Sequence, residues 1–151
     1  MKKIDVTNAP RREGSGYPEP FRAPSAKKFR LKLGDAAGLT QFGVNLTTIE
    51  PGGVSAQRHW HTHEDEFVYV LSGEMVLITD AGEEAMGPGD CAGFRAGDPD
   101  GHHLVNRSSQ PAVILEIGTR TPDIDTTTYP DIDLMAPAGE DGYFHKDGTP
   151  Y

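Results

Sequence analysis

The sequence has little of what several protein classes require. Cys91 is the only cysteine, so no disulfide can form within the chain. Lys and Arg number 14 against 23 Asp and Glu, and a net charge of −9 argues against nucleic-acid binding, which needs a basic face. The same charge disfavours an anionic membrane surface. Because no apolar run approaches the roughly 18 residues of a membrane span, and none follows Met1 as in a signal peptide, we expect a cytoplasmic protein.

Glycine and proline are abundant, by contrast, with 18 and 12 residues in a chain of 151. Their combined share of about a fifth exceeds the usual share of roughly 12 % and favours turns and short strands over long helices. The length suits one domain. We predict an extended arm over residues 1–28, a barrel over 29–120, and an acidic extension over 121–151 that packs on the barrel through its apolar side chains.

Short apolar runs alternate with turn signals from Phe29 onward. Eight or nine such runs at this spacing predict an all-β, antiparallel sandwich or barrel. Only residues 34–40 suggest a helical turn. The runs cover residues 29–33, 42–49, 55–62, 66–71, 74–79, 83–86, 91–94, 102–106 and 111–118.

One of these runs, 66–71, is apolar on both faces. Alternation puts Val68 and Val70 on the same face as Glu66. A strand that is apolar on both faces needs a cover on each side. One cover is the barrel interior, and the other is the arm, the tail or a second copy, so we expect a homodimer. The residues of the second face are Phe67, Tyr69 and Leu71.

Histidines and a carboxylate are spaced for metal binding in the middle of the chain. Within a strand, His59 and His61 point to the same face about 7 Å apart. Glu66 opens the next strand after a short turn, and His102 can supply a third imidazole from a distant strand. Three imidazoles and one carboxylate suit one divalent transition metal, such as Fe, Mn, Ni, Zn or Cu, whereas Mg and Ca prefer oxygen ligands.

This spacing also resembles a known family. The series Gly53-(x5)-His59-x-His61-(x4)-Glu66-(x6)-Gly73 matches the first motif of the cupins at every fixed position. The second cupin motif is recognisable in Gly89, Gly97, His102 and Asn106, although Arg95 replaces its proline and two extra residues precede its histidine. Over roughly residues 40–118 the chain therefore resembles a small single-domain cupin.

The resemblance implies a double-stranded β-helix, the cupin or jelly-roll barrel, with a metal bound inside one mouth. It assigns the ligands to His59, His61, Glu66 and His102. His103 competes with His102, whose three-residue spacing to Asn106 favours it. Other expectations concern the neighbours: Gln57, His63 and His103 are possible pocket residues, Glu64 and Asp65 form a solvated turn, and Trp60 and Tyr69 lie on the outer face.

Cupins use such a site in several ways. We expect a metal-dependent enzyme, an oxygenase, decarboxylase or isomerase, that acts on a small anionic or oxygen-rich substrate. The alternative is a non-enzymatic module that binds a sugar or an organic acid, because no acid or base is recognisable beyond the ligands. A storage cupin with a vestigial site is a third possibility, against which the complete first motif argues.

Overall fold

The computed structural model describes residues 3–151 and is built almost entirely from short strands. The all-β, double-stranded β-helix prediction is confirmed. The only α-helix in the described residues is a single turn, α1 (Leu33–Ala36), near the predicted position, and no described helix is long and apolar enough to cross a membrane. The strands are β1 (Arg11–Glu13), β2 (Lys28–Lys32), β3 (Phe42–Ile49), β4 (Trp60–His61), β5 (Glu66–Ser72), β6 (Met75–Thr79), β7 (Gly82–Met86), β8 (Cys91–Phe94), β9 (His103–Val105), β10 (Ala112–Thr119), β11 (Thr127–Tyr129) and β12 (Leu134–Ala136).

Three sheets form the barrel. The largest has the order β1-β2-β3-β10-β5-β8, and the two smaller ones have the orders β7-β6-β9 and β12-β11-β4. Non-consecutive neighbours such as β3, β10 and β5 pair in antiparallel register, as in a jelly roll. The inward row of Thr47, Ile114 and Val70 crosses these three strands and is fully buried. Glu66, which pairs with Gly118, lies on the same inward face two rows further along these strands. The predicted site is therefore continuous with the barrel interior.

The predicted arm and the predicted tail both contribute strands to the sheets. β1 lies within the predicted arm and pairs with β2, which begins at Lys28, one residue before the predicted barrel boundary. The C-terminal segment adds β11 and β12, and β11 pairs with β4. Tyr17 from the arm packs with buried Tyr129 and Leu134 from the tail. Strand pairing thus fixes the arm to β2 and the tail to β4; the arm's first two residues lie outside the described part.

The outer face of the large sheet carries the expected apolar surface. Leu31, Leu46, Leu115 and Tyr69 form one cross-strand row over β2, β3, β10 and β5. On β5, Phe67, Tyr69 and Leu71 are exposed, so neither the arm nor the tail covers them. The homodimer stays a prediction, which light scattering on the purified chain would test: a monomer at working concentration would contradict it.

A lysine is buried inside the large sheet. Lys28 is 6 % exposed and donates a hydrogen bond to the backbone carbonyl of Ser55. Burial, together with the charge of neighbouring Arg30, lowers its pKa to about 7, although Glu116 partly opposes both effects. The unfolded chain returns the lysine to water and to its ordinary pKa of 10.5. Between these two values the unfolded state therefore holds a proton that the folded state has released.

Stability should accordingly rise with pH from about 7 toward 10.5, and Lys28→Met should remove this rise. Between pH 7 and 8.5 we expect the wild type to gain about 1–2 kcal/mol of unfolding free energy relative to the variant. Urea unfolding at several pH values measures the difference. Lys27→Met is the control, because Lys27 is exposed. Parallel stability curves for wild type and Lys28→Met would contradict the prediction.

Candidate metal centre

Three histidines and one glutamate converge at one mouth of the barrel. His59 and His102 face each other in an antiparallel bridge, with N–O distances of 3.2 and 2.9 Å between their backbones. His61 ends β4 on the same side as His59, and Glu66 opens β5 after the turn. The i, i+2 spacing thus brings His59 and His61 together, and the turn between β4 and β5 brings Glu66 next to them.

One carboxylate oxygen is the centre of the group. Glu66 Oε2 lies 2.9 Å from Nε2 of His102, 3.3 Å from Nε2 of His59 and 3.5 Å from Nε2 of His61. His59 and His102 are buried, and His61 and Glu66 are partly buried. The ligand atoms of His59, His61 and Glu66 all lie within 4.8 Å of one another, close enough to hold one ion.

Hydrogen bonds assign the free nitrogen of two of the rings. His59 Nδ1 lies 2.8 Å from the carbonyl oxygen of Gln57, and His61 Nδ1 lies 2.6 Å from Oδ2 of Asp125. Both acceptors require a proton on Nδ1, so Nε2, the nitrogen next to Glu66, is the one available to a metal. The third ring, His102, stacks on Phe94 with a centroid distance of 3.5 Å.

The charges of the group suit a cation. Burial favours a neutral Glu66, yet the three surrounding histidines outweigh it and hold its pKa well below the usual range. Burial lowers the pKa of His102 and favours the neutral ring that binds metals. Burial also lowers the pKa of His59, but the Glu66 carboxylate and the Gln57 carbonyl reverse this and raise it overall. The residues therefore fit a divalent transition metal held by nitrogen and one carboxylate oxygen.

The other predicted pocket residues lie elsewhere. Gln57 turns its side-chain amide away to the carbonyl of Phe21, at 2.7 Å, and serves the site through its backbone. His63 is exposed beyond the end of β4. His103 points to the opposite side of its strand from His102 and lies 3.1 Å from the carbonyl of Ala56. Successive side chains in a strand point to opposite faces, which explains why His102 and His103 point in opposite directions.

Two expectations about the turn and the outer face need correction. Glu64 is partly buried rather than solvated, and its carboxylate accepts the backbone N–H of Thr121. Burial raises its pKa, and nearby Asp125 adds to this. Trp60 lines a cavity beside the histidines instead of an outer surface. The first difference arises because the C-terminal segment packs against the turn that follows β4, through Thr121.

Asp125 is the residue that sequence reasoning missed. It lies in the predicted acidic extension and was not among the predicted site residues, yet it is 7 % exposed and contacts His61. No local pattern marks it, since its role depends on the pairing of β11 with β4, more than 60 residues earlier.

Two cavities border the histidine group. One, of about 280 Å³, is bordered by Trp60, Phe94 and Arg95. The other, of about 310 Å³, is bordered by Tyr17, Arg30 and Tyr129, among others. Arg95 is exposed, and no described carboxylate lies within ion-pair distance of it. Both cavities share His61, Glu64, Glu66 and His102.

Comparisons with known proteins find a matching family model and similar structures. The family model for the cupin domain matches residues 45–118. A sugar phosphate isomerase of the cupin superfamily from Silicibacter pomeroyi is 49 % identical, with 99 % of this chain and 96 % of that chain covered and a TM-score of 0.92. A putative sugar phosphate isomerase from Acidithiobacillus ferrooxidans is 28 % identical, with 100 % and 94 % covered and a TM-score of 0.79.

One further similar protein is much longer than this chain. Oxalate decarboxylase OxdC of Bacillus subtilis is 29 % identical over 129 residues, which are 76 % of this chain. The chain spans about a third of that relative's length, 32 %. The likeness therefore concerns one portion of a larger protein.

Proposed function

Because the chain belongs to the cupin superfamily, we propose that it is a metal-dependent enzyme that isomerises a small sugar phosphate. The observation that carries this proposal is the group of three imidazoles around Glu66 Oε2, which borders two cavities. Cavities of about 300 Å³ admit a small molecule and are at the lower limit of ligand pockets. The likeness to the two sugar phosphate isomerases supports a sugar phosphate as the substrate.

The residues would divide the work as follows. His59, His61, Glu66 and His102 would hold the ion, and Gln57 and Asp125 orient two of the imidazoles through Nδ1. When bound, a divalent metal acts as a Lewis acid on the carbonyl and hydroxyl oxygens of a substrate.

The cavity walls suit an anionic, oxygen-rich substrate. Arg95 borders the smaller cavity with its guanidinium unpaired, and such a group binds phosphate or carboxylate oxygens in pairs. Trp60 and Phe94 give the same cavity an apolar side. We propose that Arg95 binds the phosphate while the centre binds the sugar oxygens.

A second candidate function is decarboxylation of a small dicarboxylate, which the likeness to oxalate decarboxylase supports. The same centre and the same arginine would receive such an anion. The two reactions differ in product: an isomerase keeps every atom of its substrate, whereas a decarboxylase releases carbon dioxide. A binding module would form no product at all.

The test begins with purified protein and its metal content. We expect about one equivalent of a transition metal per chain and interconversion of an aldose phosphate with its ketose, equally with and without oxygen. The screen covers aldose and ketose phosphates of three to six carbons, together with oxalate. Carbon dioxide released from oxalate would favour the second function. Thermal shifts without product under any metal condition, or turnover that survives complete metal removal, would contradict the enzyme proposed.

A further inference from the structure

A buried carboxylate of the C-terminal segment contacts the metal-site histidine on β4. Asp125 Oδ2 accepts the Nδ1–H of His61 at 2.6 Å, and its Oδ1 accepts the backbone N–H of His63 at 2.8 Å. The hydroxyl of Thr62 lies 3.4 Å from Oδ1, and that of Thr127 lies 3.3 Å from His61 Nδ1. The carboxylate is thus held on both oxygens by the segment that carries the histidine.

We propose that Asp125 is a positioning residue that turns His61 Nε2 toward Glu66 and so couples metal affinity to the docking of residues 121–136. The proposal rests on the metal centre proposed above and adds to it a dependence on the C-terminal segment. That segment lies outside the residues 45–118 that match the family model.

The hydrogen bond acts on the ring in two ways. A neutral imidazole can carry its proton on either nitrogen, and the carboxylate selects the form with the proton on Nδ1. The bond is also charge-assisted, which makes Nε2 a better electron donor to a metal. Loss of such a partner typically weakens metal binding 10–100-fold.

The backbone of the segment is docked on the same histidine strand. β11 pairs Thr127 with His61 and Thr128 with Trp60. The N–H of Thr62 donates to the carbonyl of Thr126 at 3.1 Å, and the N–H of Thr126 donates to the Thr62 hydroxyl at 2.8 Å. If the segment detaches, His61 therefore loses both its acceptor and its strand partner. By linkage, a metal that binds the docked form better must favour docking to the same extent.

A second cation at Asp125 would be a different explanation of the same geometry. The ligand atoms of His61, Glu64 and Asp125 lie within 4.8 Å of one another. Each, however, already has a partner: Glu64 accepts from Thr121, Asp125 accepts from His61 and His63, and His61 Nδ1 donates its proton. These bonds favour the positioning role over a second site.

The experiment compares Asp125→Asn with Asp123→Asn, an exposed position in the same segment. Competition with a chromophoric chelator gives the Kd for added Zn²⁺ or Mn²⁺, together with the stoichiometry. We expect the Kd to rise 10–100-fold in Asp125→Asn and to stay unchanged in Asp123→Asn. Added metal should also slow protease cleavage within 121–136 in the wild type, and less so in Asp125→Asn.

A second measurement needs no added metal. In the metal-free wild type, long-range ¹H–¹⁵N NMR of the His61 ring should show the proton on Nδ1, and in Asp125→Asn a mixture of both forms. A proton on Nε2 in the wild type would overturn the proposal, as would an unchanged Kd in a folded Asp125→Asn. Two metal equivalents that fall to one in Asp125→Asn would make Asp125 a ligand and overturn it too. A wild type that binds no metal would instead refute the proposed centre itself.

Discussion

His59→Ala and His102→Ala should each lose metal binding under conditions in which the wild type binds about one equivalent, and turnover should fall to background. Each variant removes one of the three nitrogens that lie within 3.5 Å of Glu66 Oε2. A transition metal left with two nitrogens and a carboxylate is bound far more weakly, so we expect the Kd to rise by at least 100-fold. Elemental analysis after gel filtration, with chelator competition for the Kd, measures the effect.

The chain provides a matched control next to one of these ligands. His103→Ala replaces the histidine that directly follows His102. The ring of His103 contacts the carbonyl of Ala56 and not Glu66. It should keep its metal and its turnover. The outcome also decides between His102 and His103 as the fourth ligand. Loss of metal in His103→Ala together with retention in His102→Ala would show that the ligand was assigned to the wrong residue.

The parts of the site that could be predicted depend on local geometry. Strand alternation alone puts His59 and His61 on one face, and the short turn after them returns Glu66 to that face. The same rule separates His102 from His103. The positions of short strands follow from apolar runs and turn residues, so most strands of the barrel were predicted close to their bounds.

The parts that could not be predicted depend on pairing between distant segments. Asp125 reaches His61 only because β11 adds to β4, and no periodicity in an acidic tail indicates which strand it will join. Glu64 was predicted to be a solvated turn residue, but in the fold its carboxylate accepts a hydrogen bond from the distant Thr121. β1 lies in a segment with no alternation, and its pairing with β2 arises from the free edge of that strand. In each of these cases the role depends on a partner that is distant in the sequence, and the neighbouring residues do not indicate it.

A second large effect is expected from the charged pair inside the large sheet. Glu116 Oε2 accepts the Nε–H of Arg30 at 2.9 Å and the hydroxyl of Thr47 at 2.6 Å. Arg30 also donates to the carbonyl of Ser55 at 3.2 Å. The side chains of Arg30 and Glu116 are 25 % and 17 % exposed, so water compensates little for a missing partner. Glu116 raises the pKa of Arg30 and outweighs the effect of burial, which keeps the guanidinium charged.

Glu116→Ala should therefore lower the free energy of unfolding by about 3 kcal/mol, because it leaves the guanidinium and the Thr47 hydroxyl without their acceptor. Glu83→Ala is the matched control: its bidentate pair with Arg107, at 2.6 and 2.7 Å, is solvent-exposed, so its loss should change the free energy of unfolding far less. The double variant Arg30→Met with Glu116→Leu should recover most of the loss, since neither member of the pair is then left as an unpaired buried charge. Urea unfolding at pH 7 measures all three. Equal losses in Glu116→Ala and Glu83→Ala would show that the inner pair is as well solvated as the outer one, and the barrel interior would then be wetter than its burial indicates.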